Sequence, residues 1–334
     1  MSSIALLLLS LGIILVGAEV FSNGIEWLGK KLNLSEGAVG SVLAAVGTAL
    51  PETMIPVIAF IKGGEEAVSI GTGAILGAPM MLATLAMFVT GCAVYIFKYR
   101  RPLGTQVTAN PEVMKRDLGL FLIVFAAALI AGTMPASMRK WQLIAACLMI
   151  FGYMMHLWVT LSAERDHDDE KLKACYFSPR RPTPSMSIVL IQLVVALGLI
   201  IGGAHLFVGG IETVALAFGV PAFILALVIA PIATELPEKF NSVIWISRGK
   251  DTLALGNITG AMVFQSSLIP ALGIFMSDWQ LSAGGLLTGL LALIAAAILY
   301  VQVLRLRRVE AWTLIMSGVF YVLFFIMVLQ GLIR

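Results

Sequence analysis

The stretch Gly-Thr-Ala-Leu-Pro-Glu at residues 47–52 returns as Ala-Thr-Glu-Leu-Pro-Glu at residues 233–238, so four residues recur with an offset of 186. The match extends upstream at the same offset, from residues 17–26 to residues 203–212. Both copies lie in strongly apolar segments, where a carboxylate is costly and marks a functional site by default. Because proline removes a backbone donor, we expect both helices to be broken at the motif. Paired interruptions in two halves of a chain are typical of a transporter's substrate site.

The composition is that of an integral membrane protein. Of 334 residues, 59% are hydrophobic and 12% charged, whereas a soluble domain carries about 25% charged residues. Long apolar runs such as residues 284–303 favour helices over the alternating strands of a membrane barrel. A net charge of +3 does not indicate nucleic acid, and three scattered cysteines argue against a disulfide framework. We therefore expect an all-α integral membrane protein whose partner is membrane lipid, with no nucleic acid and no required protein partner.

Hydropathy predicts ten transmembrane helices, since each span needs about 20 apolar residues. The predicted spans are residues 4–28, 37–61, 67–97, 118–131, 141–161, 187–218, 223–246, 252–276, 282–304 and 311–332. The first lacks the positive region of a signal peptide, so we expect it to be retained. The chain then divides into a first five-helix repeat over residues 1–161, a cytoplasmic linker over residues 162–185 and a second five-helix repeat over residues 186–334.

The distribution of lysine and arginine predicts the orientation. With the N-terminus outside, 17 of these residues fall in inside loops and 4 in outside loops, so both termini should face out. Short loops in one compact chain favour a prokaryotic inner (plasma) membrane. Five spans per half would insert the two repeats upside-down relative to each other, which brings the motif to the bilayer midplane from both sides. No nucleotide-binding motif is present.

Glu52 and Glu238 are the central candidates for ion binding. A hard cation such as calcium takes 6–8 oxygen ligands from carboxylates and carbonyls. Two carboxylates from opposed helices would supply charge, and backbone carbonyls freed at residues 48–51 and 234–237 would complete the shell. The alternatives are that each glutamate is a paired polar residue of the bundle and that the prolines are packing kinks.

The two motif copies resemble the duplicated alpha-repeats of the cation/calcium exchanger superfamily, which includes sodium/calcium exchangers. The resemblance covers residues 17–91 and 203–273 and extends to the ten-span inverted layout. Within the second region, Gly-Asn-Ile-Thr-Gly at residues 256–260 resembles the family's second repeat signature.

This resemblance implies antiport of calcium, or a related divalent cation, against sodium or protons by alternating access. It implies that Glu52 and Glu238 ligate the ion, with carbonyl help at Thr48 and Thr234. It implies no bound cofactor, because Ca²⁺ and its counter ion are the transported substrates.

The sequence also departs from the family pattern. Ala49 and Glu235 stand where a serine is usual, residues 73–79 lack the usual Asn and Ser, including at Ala78, and a further polar ligand is replaced by Leu82. The second half instead carries a surplus of polar side chains: Glu235, Asn257, Thr259, Gln265, Ser266 and Ser267. Of these we add Glu235, Asn257 and Gln265 to the candidate metal ligands, which gives a lopsided site.

Several other polar residues lie within or beside the spans. Lys239 follows Glu235 by four residues, so it could neutralise that carboxylate and replace a monovalent cation, or extend toward the interface. His205, the repeat counterpart of Glu19, could relay protons or serve as a packing residue. Glu26 and Glu212 lie near span ends, where an interfacial role is expected.

The leading interpretation is a calcium antiporter. One alternative keeps the fold but transports a monovalent cation or a proton-coupled substrate. Another, from a different class, is a membrane scaffold that transports nothing. The sequence holds no Ser/His/Asp grouping and no His-Glu-x-x-His motif, so we do not expect an enzyme.

Overall fold

The computed structural model describes residues 3–32, 44–101, 104–163 and 173–333. Apart from two short strands, regular structure in these residues is helical. A π-helical turn spans Leu82–Ala86, and a 3-10 turn spans Ala136–Met138. The helices are α1 (Ser3–Lys31), α2 (Ala44–Lys62), α3 (Glu65–Met81), α4 (Met87–Ile96), α5 (Pro111–Thr133), α6 (Arg139–Ala163), α7 (Met186–Phe218), α8 (Ala222–Ser247), α9 (Asp251–Met276), α10 (Ala283–Leu306) and α11 (Ala311–Leu329).

Seven helical segments among the described residues are long and apolar enough to cross a membrane. They are Ile4–Lys31, Glu65–Ile96, Ala136–Thr160, Met186–Phe218, Asp251–Met276, Ala283–Leu306 and Ala311–Leu329. The second of these spans α3, the π-helical turn and α4. The all-α membrane fold is therefore confirmed, whereas the total of ten spans and the division into two five-helix repeats stay predictions.

The helices run through the duplicated motif rather than breaking at it. α2 is continuous through Pro51 and Pro56, and α8 is helical throughout its length. A proline withholds one donor from the carbonyl four residues earlier, and the remaining hydrogen bonds hold the helix, as is common in membrane helices. The prediction of broken helices at the motif is therefore wrong. By this rule the carbonyls that lose a helix donor are those of residues 47 and 233, not those of Thr48 and Thr234.

α1 and α7 pack against each other in a reciprocal pattern of glycine contacts. The four contacts are Gly17 with Ile200, Gly203 with Ile14, Gly24 with Leu193 and Gly210 with Leu7. Under the offset of 186, each contact is the repeat image of another in the set. Residue numbers on α7 fall as those on α1 rise, so the two repeat-related helices run antiparallel. Glycines allow this close approach.

α3 and α8 also approach closely through glycine. Gly73 packs directly against the carbonyl oxygen of Phe223, and Gly77 packs against that of Leu227. Pro231 lies four residues after Leu227, so the Leu227 carbonyl lacks its helix donor. A Cβ added at Gly77 would collide with that oxygen and lie 2.9 Å from the Leu227 Cα.

We expect Gly77→Ala to force α3 and α8 apart and to lower the thermal stability of the protein. Overpacking of this kind costs about 1–3 kcal/mol. The matched control is Gly202→Ala on α7, where an added Cβ meets nothing within 4 Å and a helical alanine is favourable by roughly 0.5–1 kcal/mol. Unfolding of both variants in detergent measures the difference. Equal stability of the two variants would contradict the packing argument.

Loops that were predicted to share a side of the membrane lie at the same end of the bundle. At one end, β1 (Gln106–Val107) pairs antiparallel with β2 (Val309–Glu310), joining the loops before α5 and before α11. At the opposite end, the Trp279 indole donates to the carbonyl of Ala128 at 3.0 Å, joining α5 to the loop before α10. We call the first end the strand end. It carries most of the loops that the charge distribution predicts to be cytoplasmic.

A buried ion pair fastens two loops at the strand end. Arg101 binds Asp251 in a bidentate manner, at 2.7 and 2.8 Å, and both side chains are almost completely buried. The other Arg101 donors reach the carbonyls of Gly104, Gln106 and Ile246 at 2.7–2.8 Å. All five guanidinium N–H donors are thus satisfied, and the two halves of the chain are joined.

Residues 173–185 of the predicted linker dock on α1 and α7. The Trp27 indole donates to the carbonyl of Lys173 at 3.0 Å. Asn23 accepts from the Tyr176 amide at 3.2 Å and from the Gln192 side chain at 3.0 Å. The linker also contains an acidic stretch, Asp-His-Asp-Asp-Glu at residues 166–170, which lies outside the described residues. The linker therefore holds α1 and α7 together beyond their own contacts.

Candidate functional site

Glu52 is a buried carboxylate within an apolar part of the bundle. It is 8% exposed and lies well inside α2, eight residues after Ala44 and ten before Lys62. Ile55 and Ala59, about one and two turns further along α2, belong to an apolar cluster shared with α1, α3, α7 and α8. A carboxylate at this depth is far from either end of its helix.

Glu235 forms a second buried polar group on α8. It is 2% exposed, and the amide of Gln265 on α9 donates to its Oε1 at 2.8 Å. Thr234, 4% exposed, donates its hydroxyl to the carbonyl of Ala230 at 3.0 Å, within the same helix. Glu235 and Gln265 both lie near the middle of their helices. α9 contacts α2, α3 and α8, so the helices bearing Glu52, Glu235 and Gln265 are neighbours.

The remaining candidates on the motif are placed by their backbones alone. Glu238 and Lys239 lie on α8 and Thr48 on α2, but their side chains fall outside the described residues. The roles predicted for these three residues stay predictions. Glu238 follows Glu235 by three positions on a continuous helix, where residues three or four apart share a face.

Asn257 lies apart from Gln265 along the same helix. It is half-buried on α9, eight residues before Gln265, which corresponds to about 12 Å along the helix. Asn257 therefore lies closer to the strand end than Glu235 and Gln265 do, and its predicted role as a metal ligand stays a prediction.

The first half has apolar side chains at positions where the family pattern has polar ones. Leu82 is fully buried in the π-helical turn and Ala78 is 3% exposed. π-helical turns frequently occur at functional sites, and this one contacts α9. The predicted difference between the two halves, with fewer polar side chains in the first, therefore involves residues that are buried in the bundle.

Glu19 and His205 occupy different surroundings. Glu19 accepts from the Tyr176 hydroxyl at 2.7 Å and from Lys173 at 3.3 Å. Its hydrogen bonds raise the pKa of both Tyr176 and Lys173, so Glu19 anchors the linker. His205 is exposed beside an apolar groove that includes Ile13 and Ile58, with no carboxylate in the groove lining.

Glu212 forms an ion pair with Lys62, the last residue of α2. This contact agrees with the interfacial role expected for Glu212.

A polar cluster on α5, α6 and α9 is not among the sites predicted from the sequence. Asp117 is 2% exposed and accepts from the Thr259 hydroxyl at 2.8 Å, and His156 lies 3.8 Å from the same carboxylate. The predicted fourth span began at residue 118, which left Asp117 outside it. The signal was the Asn110-Pro111 pair, a cap and first-turn proline that begin a helix.

Among the described side chains, no three His, Cys, Asp or Glu residues come together as a metal-binding group. Among the described side chains near the middle of the bundle, those that carry oxygens include the carboxylates of Glu52 and Glu235 and the amide of Gln265. Calcium prefers such oxygen ligands. The Gln265 nitrogen donates to Glu235, and the amide oxygen is the acceptor atom of the same side chain.

Long apolar helices around mid-helix carboxylates define an integral membrane protein of the transporter class. The profile of the family described as sodium/calcium exchanger protein matches residues 2–162 and 188–329. The chain belongs to this family. The relatives whose names state an activity are exchangers and antiporters, so the predictions of a membrane antiporter family, of ion transport and of a protein that is not an enzyme are confirmed.

Individual relatives cover most of the chain. CaxA of Alkalimonas amylolytica, named as a candidate antiporter, is 25% identical over 94% of this chain and 95% of its own length. The crystal structure of the H⁺/Ca²⁺ exchanger CAX matches 98% of this chain and 82% of its own, with a TM-score of 0.74 and 16% identity. The sodium-calcium exchanger NCX_Mj matches 97% and 98%, with a TM-score of 0.58 and 21% identity. These two structures share the fold.

Proposed function

We propose that this chain exchanges calcium, or a related divalent cation, for protons across the membrane, using Glu52 and Glu238 as the alternately occupied ligands. The observation that carries the proposal is the burial of Glu52 deep within α2, at a motif that recurs at Glu238. Two carboxylates that are both charged within one apolar bundle carry a large desolvation cost and repel each other. Occupancy by one divalent cation or by protons relieves the charge, so the loaded protein changes conformation more readily than the empty one.

The inverted-repeat layout and alternating access belong to the same proposal. The reciprocal contacts of α1 with α7 support it, because repeat-related helices that run antiparallel are expected of two halves inserted upside-down. The orientation with both termini outside and the prokaryotic inner membrane complete the proposal. Both rest on the charge distribution and loop lengths.

Protons are favoured over sodium as the counter ion. Sodium needs a shell of oxygens, and the first half presents Ala49, Ala78 and Leu82 where oxygens would be required. Protons need only the carboxylates themselves. Glu235, which accepts a hydrogen bond from Gln265, is a second acid on α8 beside Glu238. It adds negative charge to the site from the second half of the chain.

The test is calcium uptake by the purified full chain in sealed liposomes. We expect an imposed proton gradient to drive uptake and a matched sodium gradient at uniform pH to drive none. Uptake that follows the sodium gradient alone would make sodium the counter ion. Gradient-driven movement of a monovalent cation without calcium would favour the alternative substrate, and no flux of any cation would favour a membrane scaffold.

A further inference from the structure

The bundle contains buried ionisable groups that the transport site does not use. The side chains of Asp117 on α5 and His156 on α6 are 3% and 8% exposed. Both residues lie about two turns from the ends of their helices at the strand end, which places them roughly 10 Å inside the bundle. Ionisable residues inside a membrane bundle mark functional sites by default.

The two oxygens of Asp117 have different partners. Oδ2 accepts from the hydroxyl of Thr259 on α9 at 2.8 Å. Oδ1 lies 3.2 Å from Nε of Arg116 and 3.8 Å from Nε2 of His156. Arg116 is 27% exposed, so its guanidinium has access to solvent. Two cationic or potentially cationic groups thus face one carboxylate oxygen.

His156 has unused hydrogen-bonding capacity. Its Nδ1 is buried and has no hydrogen-bond partner among the described residues. Its Nε2 is beyond hydrogen-bonding distance of Asp117. A neutral imidazole has one donor and one acceptor nitrogen, whereas a protonated one has two donors. Uptake of one proton would therefore make both ring nitrogens N–H donors. It would also give the ring a positive charge, opposite to that of Asp117.

The neighbouring elements add few other charges. On α9 the facing group is the Thr259 hydroxyl, while Asp251 at the start of that helix is held by Arg101. On α6, Tyr153 packs against Phe264 of α9 with ring centroids 5.6 Å apart. On α10, which packs on α5, the titratable neighbour is Tyr300 beside Gly119. His156, Asp117 and Arg116 are the groups whose charges face one another.

We propose that Asp117 and His156 form a proton-binding site, separate from the transport carboxylates, whose occupancy controls the rate of exchange from the strand end of the bundle. The proton binds His156, the imidazolium replaces Arg116 at Oδ1 of Asp117, and the guanidinium turns toward solvent. This inference rests on the proposed function and adds a regulatory proton to it.

Thr259 connects this site to the transport site. It holds Oδ2 of Asp117 and lies six residues before Gln265 on α9, about 9 Å along the helix. The Gln265 amide in turn holds Glu235. A movement of Asp117 toward the imidazolium alters its bond with Thr259, and α9 carries that change to the carboxylate of the transport site.

The site itself is tested by NMR of the detergent-solubilised full chain labelled in its histidine rings. The chain has three histidines, so His156→Gln assigns the signal. The titration covers about pH 5 to 8. We expect the His156 ring signal to change with pH, and Asp117→Asn to displace that change. A ring that keeps one state over this range, or a midpoint indifferent to Asp117→Asn, would overturn the proposal.

The control of exchange is tested by calcium flux in liposomes of known orientation, with the pH varied on the strand-end side alone. We expect flux to change several-fold with that pH, and the change to be lost in His156→Gln. His205→Gln, which alters an exposed histidine at an apolar groove, should retain it. Thr259→Val keeps the shape of the side chain but removes the hydroxyl, so it should keep the NMR titration and lose the response of the flux.

These two measurements fail separately. If no calcium moves in the unaltered protein, the proposed function fails, and the NMR titration still decides whether the proton site exists. If calcium moves and His156→Gln keeps the full response to strand-end pH, the regulatory role is wrong while the antiport stands.

Discussion

Glu52→Gln is expected to reduce calcium exchange by about two to three orders of magnitude. Glutamine keeps the shape of the side chain and removes its charge. Loss of one partner from a buried charged interaction costs about 3–5 kcal/mol, and each 1.4 kcal/mol is roughly a factor of ten. Glu52 is 8% exposed, so little solvent screening reduces this effect. The measurement is initial calcium uptake into liposomes under a fixed proton gradient.

The matched control is Glu65→Gln, the same chemical change on an exposed residue in the first turn of α3. It should leave uptake within about twofold of the unaltered protein, because surface substitutions have small effects. Because glutamine keeps the size of the side chain and can both donate and accept hydrogen bonds, Glu52→Gln should fold, and thermal unfolding in detergent checks this. Undiminished uptake in Glu52→Gln would remove the ligand role. A loss of uptake accompanied by misfolding would instead indicate a structural role.

The sequence predicted the class of fold because the bilayer imposes strong rules on it. Length and apolarity locate spans such as Met186–Phe218 with little ambiguity. The duplicated motif identified the family and drew attention to Glu52, which the structure buries. These inferences depend on local composition and on a repeat within the chain, both of which are visible without any tertiary contact.

The effect of proline on the helix at the motif is smaller than its effect on helices in water. Pro51 removes one helix hydrogen bond, and the neighbouring bonds are strong because no water competes for them in an apolar bundle. α2 therefore continues as a helix. Propensity measured in water overstated the cost of proline here, since the alternative conformation would expose several backbone groups to lipid rather than one.

Contacts between residues distant in the sequence could not be predicted from local patterns. His156 and Asp117 are 39 residues apart, and Thr259 is a further 142 residues from Asp117. Their contact depends on how α5, α6 and α9 pack, which periodicity does not specify. The same holds for Glu19, whose partners Lys173 and Tyr176 belong to the linker. Residue type alone marked these positions as polar, and the fold supplied their roles.

Arg101→Met is expected to destabilise the protein by about 3–5 kcal/mol, because it leaves Asp251 buried without its counter charge. The loss extends to the three backbone carbonyls that the guanidinium also holds. Arg101→Lys should recover only a part of the stability, since an ammonium cannot reproduce a bidentate fork. Thermal unfolding in detergent measures both variants, with calcium uptake as the accompanying readout.

The control for this prediction is Arg308→Met, which removes an arginine paired with Glu310 at 2.7 Å in a setting where its side chain is 65% exposed. Exposed pairs contribute about 0–1 kcal/mol, so this variant should unfold close to the parent. Combining Arg101→Met with Asp251→Leu removes both buried charges and should be more stable than Arg101→Met alone. An Arg101→Met variant as stable as Arg308→Met would mean that the pair does not fasten the two halves of the chain. If the double variant is no more stable than Arg101→Met, the lost stability comes from the carbonyl contacts of Arg101 rather than from the ion pair.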